Sequence, residues 1–241
     1  MAGVPAAKKT AGTLALIGGG EWREPCRPLD AALLAAAGTR TVLVLPTAAA
    51  FEHADRLVQR AREWFGGLGA DVVALDVLDR RDAERPEPVK AMERARFVYV
   101  ADGSPLHLRS VLKGSALYDA LRDAHLAGAV VAASGAGATL LCDPMVDPRG
   151  GAYTVGLGLV TGMAVFPYHG TAADHLRARS IELLPKDAVL VGLDEHTAIV
   201  RGPGGEWTVT GPGAATVYRR DAEPEVARDG DQLSVTTTVS R

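Results

Sequence analysis

Ser134 is the one hydroxyl in a run of tiny residues, Ala132-Ala133-Ser134-Gly135-Ala136-Gly137-Ala138, that separates two apolar segments. Such a run can fold as a nucleophile elbow: a buried strand, a sharp turn, then a helix whose N-terminus faces the substrate. The elbow needs small side chains two places before and two places after the nucleophile, because strand and helix close tightly around the turn. Centred on Gly135, those flanks are Ala133 and Gly137, the better fit; centred on Ser134, they are Ala132 and Ala136. The favoured register therefore puts glycine where a serine or cysteine would attack. Ser134 then ends the strand one place early, and its side chain faces away from the apex because consecutive strand side chains alternate. The same stretch also reads as an ordinary Gly/Ala-rich strand-to-helix turn.

A serine nucleophile works with a base and with an acid that orients the base. His169, in Phe166-Pro167-Tyr168-His169-Gly170, follows the apolar Gly162-Met163-Ala164-Val165 and is placed for a general base at a strand end. His53, His107, His125 and His175 read as loop or surface histidines. Glu195, within Gly192-Leu193-Asp194-Glu195-His196-Thr197-Ala198, stands beside an apolar strand and can orient a histidine. It also reads as a simple turn carboxylate. Cys142 is a weaker candidate nucleophile, since it lies seven positions past the apex, inside the expected helix.

Two further loops offer backbone groups. In Asp102-Gly103-Ser104-Pro105, Ser104 is suited to N-cap a helix with Pro105 in its first turn. Gly103 lets a backbone N–H face a crevice, as an oxyanion donor must. Gly18-Gly19-Gly20 lacks the rest of a dinucleotide fingerprint and reads as a tight turn that brings Glu21 and Arg23 to the same rim.

These loops need a scaffold that carries them to one edge. Thr13 to Ile17, Thr41 to Leu45, Val72 to Leu75, Phe97 to Ala101 and the Val130 segment are short apolar runs of strand type. Between them lie helical patterns at Leu29 to Ala37, His53 to Leu68, Val89 to Ala95, Leu106 to Lys113 and Ala116 to Ala127. This alternation predicts a three-layer α/β fold, with a mainly parallel sheet covered by helices on both faces and its ligand site at the carboxyl ends of the strands. After residue 150, short β patterns at Tyr153 to Val155, Val189 to Leu193, Thr197 to Val200, Trp207 to Thr210 and Ala215 to Tyr218 predict added antiparallel strands. Arg177 to Leu184 is the one clear helix there. Residues 221–241 read as a loose tail or an edge strand, and residues 1–241 as a single domain with its core between about 13 and 220.

Composition narrows the class. A net charge of −3, without clustered Lys and Arg, gives no nucleic-acid surface. Two cysteines, Cys26 and Cys142, are too few for a disulfide framework and lack metal-site spacing. No run approaches a membrane span, and the segment from Met1 to Thr10 has no apolar core of a signal peptide. A cytoplasmic protein is expected, without nucleic-acid or membrane partners and with no cofactor or metal implied.

Five segments together carry a resemblance. Ile17-Gly18-Gly19-Gly20-Glu21, Asp102-Gly103-Ser104-Pro105-Leu106, the elbow, Gly156-Leu157-Gly158-Leu159-Val160-Thr161-Gly162, and Gly192-Leu193-Asp194-Glu195-His196-Thr197-Ala198-Ile199-Val200 occur in this order. In them the chain, from about Leu14 to Tyr218, resembles the cyanophycinase and aspartyl-dipeptidase family of serine peptidases. The resemblance implies the class I glutamine amidotransferase-like fold and a Ser-His-acid site. Laid on this sequence, the family serine falls on Gly135, the histidine on Tyr168 with His169 one place late, and the acid on Glu195. Of the family's Gly-Gly pair near residue 102, only Gly103 remains.

The resemblance thus implies a peptidase homologue that has lost its nucleophile and keeps its crevice for a small peptide or amino-acid-like ligand, or for a partner. A homodimer would fit the family. Oxyanion and binding groups would come from Gly103, Gly135 and Ala136. The alternative is an active hydrolase in which Ser134 attacks, His169 acts as base and Glu195 orients it. On the first reading, Gly135→Ser with Tyr168→His is expected to rebuild reactivity.

Overall fold

A computed structural model of the chain describes residues 10–239. Five strands form the parallel part of the larger sheet: β1 (Leu14–Ile17), β2 (Thr41–Leu45), β3 (Asp71–Ala74), β4 (Phe97–Val100) and β5 (Val130–Ser134). The helices between and after them are α1 (Arg27–Ala37), α2 (Ala54–Gly66), α3 (Pro86–Glu93), α4 (Pro105–Leu112), α5 (Ala116–Leu126) and α6 (Ala136–Leu141). The segment Met1 to Thr10, read above for a signal peptide, lies almost entirely outside the described residues.

Downstream, the chain forms β6 (Cys142–Asp143), β7 (Met145–Val146), β8 (Tyr153–Thr154), β9 (Val160–Thr161), β10 (Met163–Phe166), α7 (Asp174–Glu182) and β11 (Val189–Leu193). It ends with β12 (Ala198–Arg201), β13 (Trp207–Thr210), β14 (Ala215–Tyr218), β15 (Glu225–Ala227), β16 (Gln232–Leu233) and β17 (Thr238–Val239). The larger sheet has the order β16-β13-β12-β1-β5-β4-β2-β3, parallel from β1 through β3 and antiparallel from β12 outward. The antiparallel additions predicted by the sequence divide among three places: β8 pairs with β7 in a separate two-stranded sheet, and β11, antiparallel to β14, is parallel to β10. β12, β13 and β16 extend this sheet, while β14 and β15 join a second, seven-stranded sheet built around β10 and β11. Between residues 221 and 239 the chain contributes β15, β16 and β17 to the edges of the two sheets.

Strand alternation decides what each face of the larger sheet meets. Ala15, Ile17, Val42, Val44, Phe97, Tyr99, Val130 and Ala132 pack on one side with Leu29 and Leu33 of α1 and with Ala61 and Phe65 of α2. Leu14, Leu16, Leu43, Leu45, Val98, Val100, Val131 and Ala133 pack on the other, with α4, α5, α6 and the inner face of the second sheet. Both sets are almost fully buried. On β5 this alternation directs Ser134 to the α1–α2 side, one residue before the chain turns into α6.

Candidate functional site

Gly135 sits between β5 and α6 with φ 46° and ψ −101°, a left-handed turn that glycine enters without a Cβ penalty. Gly137, two residues on, shows why small flanks are needed. A Cβ there would come 2.9 Å from Val100 Cγ1 and 3.2 Å from Ala133 Cβ. The apex of the elbow is thus occupied by a residue with no side chain.

Where a nucleophile's substrate would be held, another group stands. The Gly103 and Ala136 N–H groups both donate to Asp102 Oδ1 at 2.7 Å. Two backbone donors converging on one anionic oxygen is the geometry that stabilises an oxyanion in acyl transfer. Here the chain supplies that oxygen itself. Asp102 Oδ2 accepts a hydrogen bond from the Tyr168 hydroxyl. Tyr168 is one of few non-glycine residues at positive φ, 54°. Its N–H donates to Gly18 O at 2.7 Å. Its ring lies over Gly19, where any Cβ would overlap it. Burial, with the adjacent Asp102 carboxylate, pushes the Tyr168 phenol far up, so it stays a hydrogen-bond donor and cannot serve as a base near neutrality.

The three residues that the sequence offers as a triad do not form one hydrogen-bonded chain. Ser134 is fully buried, and its Oγ donates to Glu21 Oε2 at 2.8 Å, on the α1–α2 side that strand alternation dictates. Glu21 is itself buried, and its Oε1 accepts from Asp102 N at 3.2 Å. Burial raises the Glu21 pKa, the Asp102 charge raises it further, and the Ser134 hydrogen bond opposes both. His169 turns into the second sheet: Nε2 lies 2.8 Å from Tyr218 Oη, and Nδ1 lies 3.5 Å from Asp194 Oδ1. Burial lowers its pKa, and Asp194 partly offsets this. Glu195 accepts from Thr171 Oγ1 at 3.2 Å.

Other sequence readings also move. His125 is not a surface residue; it is fully buried on α5, with Nδ1 3.2 Å from Ala129 O, and burial lowers its pKa. Cys142 begins β6 instead of continuing a helix, and complete burial pushes its thiol well up, which removes it as a nucleophile. Ser104 caps α4 by accepting from His107 N at 3.3 Å. Asp102 and Tyr168 are the residues whose roles the sequence left unread. The departure of Asp102 from the Gly-Gly pair that the resemblance implies was the available signal. Among the described residues, no group of three His, Cys, Asp or Glu side chains could hold a metal ion. No described helix is long and apolar enough to cross a membrane.

Around this centre lie two cavities. A cleft of about 860 Å³ is lined by three arginines, Arg23, Arg56 and Arg60, and by four carboxylates, Glu21, Glu52, Asp102 and Glu195. A smaller, apolar pocket of about 230 Å³ lies beyond Asp102 and Tyr168. Asp102, Gly103 and Tyr168 line both and form the partition between them.

An elbow at the carboxyl edge of a mainly parallel sheet, helices on both faces and a facing glycine N–H define the class I glutamine amidotransferase-like scaffold used by serine peptidases. Comparison agrees: residues 14–205 match the model of peptidase family S51, and the chain belongs to that family. Cyanophycinases of Synechococcus elongatus and of Thermosynechococcus vestitus are each 26% identical to it over 219 residues, covering 86% of this chain and 67% of theirs. The crystal structure of a peptidase from an acI-B1 Actinobacterium superposes with a TM-score of 0.86 at 26% identity, covering 95% of this chain and 98% of that one. A putative peptidase E of Listeria monocytogenes shares the fold, with a TM-score of 0.62 at 17% identity over 90% of this chain and 98% of its own.

Proposed function

We propose that this protein is a noncatalytic member of peptidase family S51 that binds a small peptide or amino-acid-like ligand in the crevice its catalytic relatives use for hydrolysis. The observation that carries the reading is the Asp102 carboxylate on the Gly103 and Ala136 N–H groups, beside an apex residue with no side chain. A peptidase must stabilise a developing oxyanion with such donors. Donors already saturated by an internal carboxylate have nothing left to offer a tetrahedral intermediate. The cleft supports the ligand class. Its volume of about 860 Å³ and its lining of both arginines and carboxylates suit a zwitterion.

The alternative, with Ser134 as nucleophile, has a hydroxyl that is wholly buried and already donated to Glu21, and a base, His169, that is bonded elsewhere. Treatment with a fluorophosphonate, read by intact mass and peptide mapping, together with an aspartyl-dipeptide hydrolysis assay, tests the reading. The expected result is no adduct and no turnover. Stoichiometric labelling at Ser134 that disappears in Ser134→Ala would overturn it.

A further inference from the structure

The apolar pocket beyond the Asp102–Tyr168 partition has a lining chemistry different from that of the main cleft. Its walls include Val146 and Phe166, both nearly inaccessible to solvent, with Ala172 and Leu176 closing the α7 side. Among the described residues, no lysine, arginine or histidine lines it. The charged groups that do are two carboxylates, Asp102 and Asp147. Asp147 is committed to Arg149, whose Nη2 lies 2.5 Å from Oδ2 and whose backbone N–H donates to Oδ1 at 3.0 Å.

Asp102 is different. Its Oδ1 already has two donors, but Oδ2 has only the Tyr168 hydroxyl, and a carboxylate oxygen can accept more than one hydrogen bond. Thr139, only 3% exposed, lines the same pocket and adds no charge to it.

We infer that this pocket binds a small hydrophobic primary amine in its protonated form, with the ammonium on Asp102 Oδ2 and the apolar body among Val146, Phe166 and Leu176. An apolar cavity of about 150 Å³ already admits benzene. One of about 230 Å³ therefore takes a single aromatic ring with a short chain. A carboxylate ligand of the same shape meets the Asp102 charge in a low-dielectric wall and is rejected. A free amine on a hydrophobic residue has this chemistry. The inference rests on the noncatalytic reading in one respect only, that Asp102 remains on the two backbone N–H groups and presents its second oxygen to the pocket.

Titration calorimetry with 2-phenylethylamine, 2-phenylethanol and 3-phenylpropanoate tests it. The amine is expected to bind on the order of tenfold tighter than the alcohol, as a charge-assisted hydrogen bond in a buried site should. The propanoate is expected not to saturate. Asp102→Asn keeps an oxygen for the two N–H donors and removes the charge, so it should bring amine affinity down to that of the alcohol. Ala172→Leu, which fills the pocket from its rim, should abolish binding of both, with near-UV circular dichroism checking that each variant is folded. Amine binding no tighter than that of the alcohol, or unchanged in folded Asp102→Asn or Ala172→Leu, overturns the proposal. An unlabelled, hydrolytically inert protein that does not take the amine sinks this inference alone. A labelled, active protein that does take it sinks only the noncatalytic reading.

Discussion

The carboxylate of Asp102 fills the space that a side chain on Gly135 would occupy: a Cβ built on Gly135 would overlap Asp102 Cγ and both carboxylate oxygens. The two positions are therefore coupled. With aspartate at 102 in this conformation, only glycine fits the apex. With serine at the apex, the carboxylate must leave the Gly103 and Ala136 N–H groups. A side chain at the apex and the Asp102 carboxylate on these two N–H groups exclude one another.

That coupling is measurable as stability. Gly135→Ser forces a side chain into φ 46°, a strain on the order of 1–3 kcal/mol, and expels Asp102 from two hydrogen bonds. In the Asp102→Gly background the second cost disappears. Urea denaturation of the single and double variants should give a coupling energy of at least about 1 kcal/mol, in the sense that the double variant is more stable than the sum of its parts. Additive effects would mean that Asp102 moves aside freely.

Reconstruction of a reactive site follows the same logic and corrects the simpler expectation from sequence. Gly135→Ser with Tyr168→His is not sufficient, because the Asp102 carboxylate still overlaps the new side chain and holds the oxyanion donors. The triple variant with Asp102→Gly should gain fluorophosphonate reactivity while the double stays inert, since nucleophile, base and oxyanion donors act as a unit. Histidine is several-fold enriched among the few non-glycine residues at positive φ, so position 168 can accept it. Equal labelling of the double and triple variants would show that Asp102 is no obstacle.

Ser134 has a structural task that its burial defines. Its hydroxyl satisfies Glu21 Oε2 inside the α1–α2 side of the sheet. Ser134→Ala should cost about 1–3 kcal/mol, the usual penalty for stranding a buried polar partner. Glu21→Gln in the same background should recover part of that loss, because a neutral amide is cheaper to bury than a carboxylate. A neutral effect of Ser134→Ala in chemical denaturation would remove this role.

What the sequence revealed of this site was local, and what it hid was not. The elbow register is legible because Ala133 and Gly137 must both be small for α6 to pack on β5 and β4, a constraint carried within five residues of chain. The direction of Ser134 follows from strand alternation alone. The Asp102 carboxylate on Ala136 N joins loops 34 residues apart, and nothing in either loop announces it. His169 meets Tyr218 across 49 residues, through two strands of a second sheet. Several strands of that sheet have only two residues, too short to show any periodicity. Helix α7 begins at Asp174, three residues ahead of the sequence expectation, because only Ser180 is fully buried and its apolar pattern is weak.

Beneath the crevice, Asp30 sets a dependence of stability on pH. It is fully buried in the first turn of α1; Oδ2 accepts from Trp64 Nε1 at 2.8 Å, and Oδ1 has no partner. Burial pushes its pKa up from the usual carboxylate range to about 7, with the nearby Glu21 charge adding to the rise. Glu21 is raised by the same cause. A carboxyl group whose native pKa lies above its unfolded value holds a proton in the folded state that the unfolded chain has already released. Between the two values the folded state binds more protons, so stability falls as pH rises and levels off above the native pKa. For Asp30 that window runs from about pH 4 to about pH 7. A tenfold change in a proton-binding constant is worth about 1.4 kcal/mol, which puts an upper limit of roughly 4 kcal/mol on the effect; local relaxation and the favourable α1 N-terminus bring the expected loss to about 1–3 kcal/mol. Asp30→Asn keeps an oxygen for Trp64 and cannot ionise. It should be more stable than the wild type at about pH 8 and show a shallower decline from about pH 5, with Asp30→Asn and Glu21→Gln together nearly flat. Urea denaturation across this range checks the sign as well as the size. A wild-type stability that rises between these values, or a slope unchanged by Asp30→Asn, would mean that Asp30 is ionised and solvated in the folded protein.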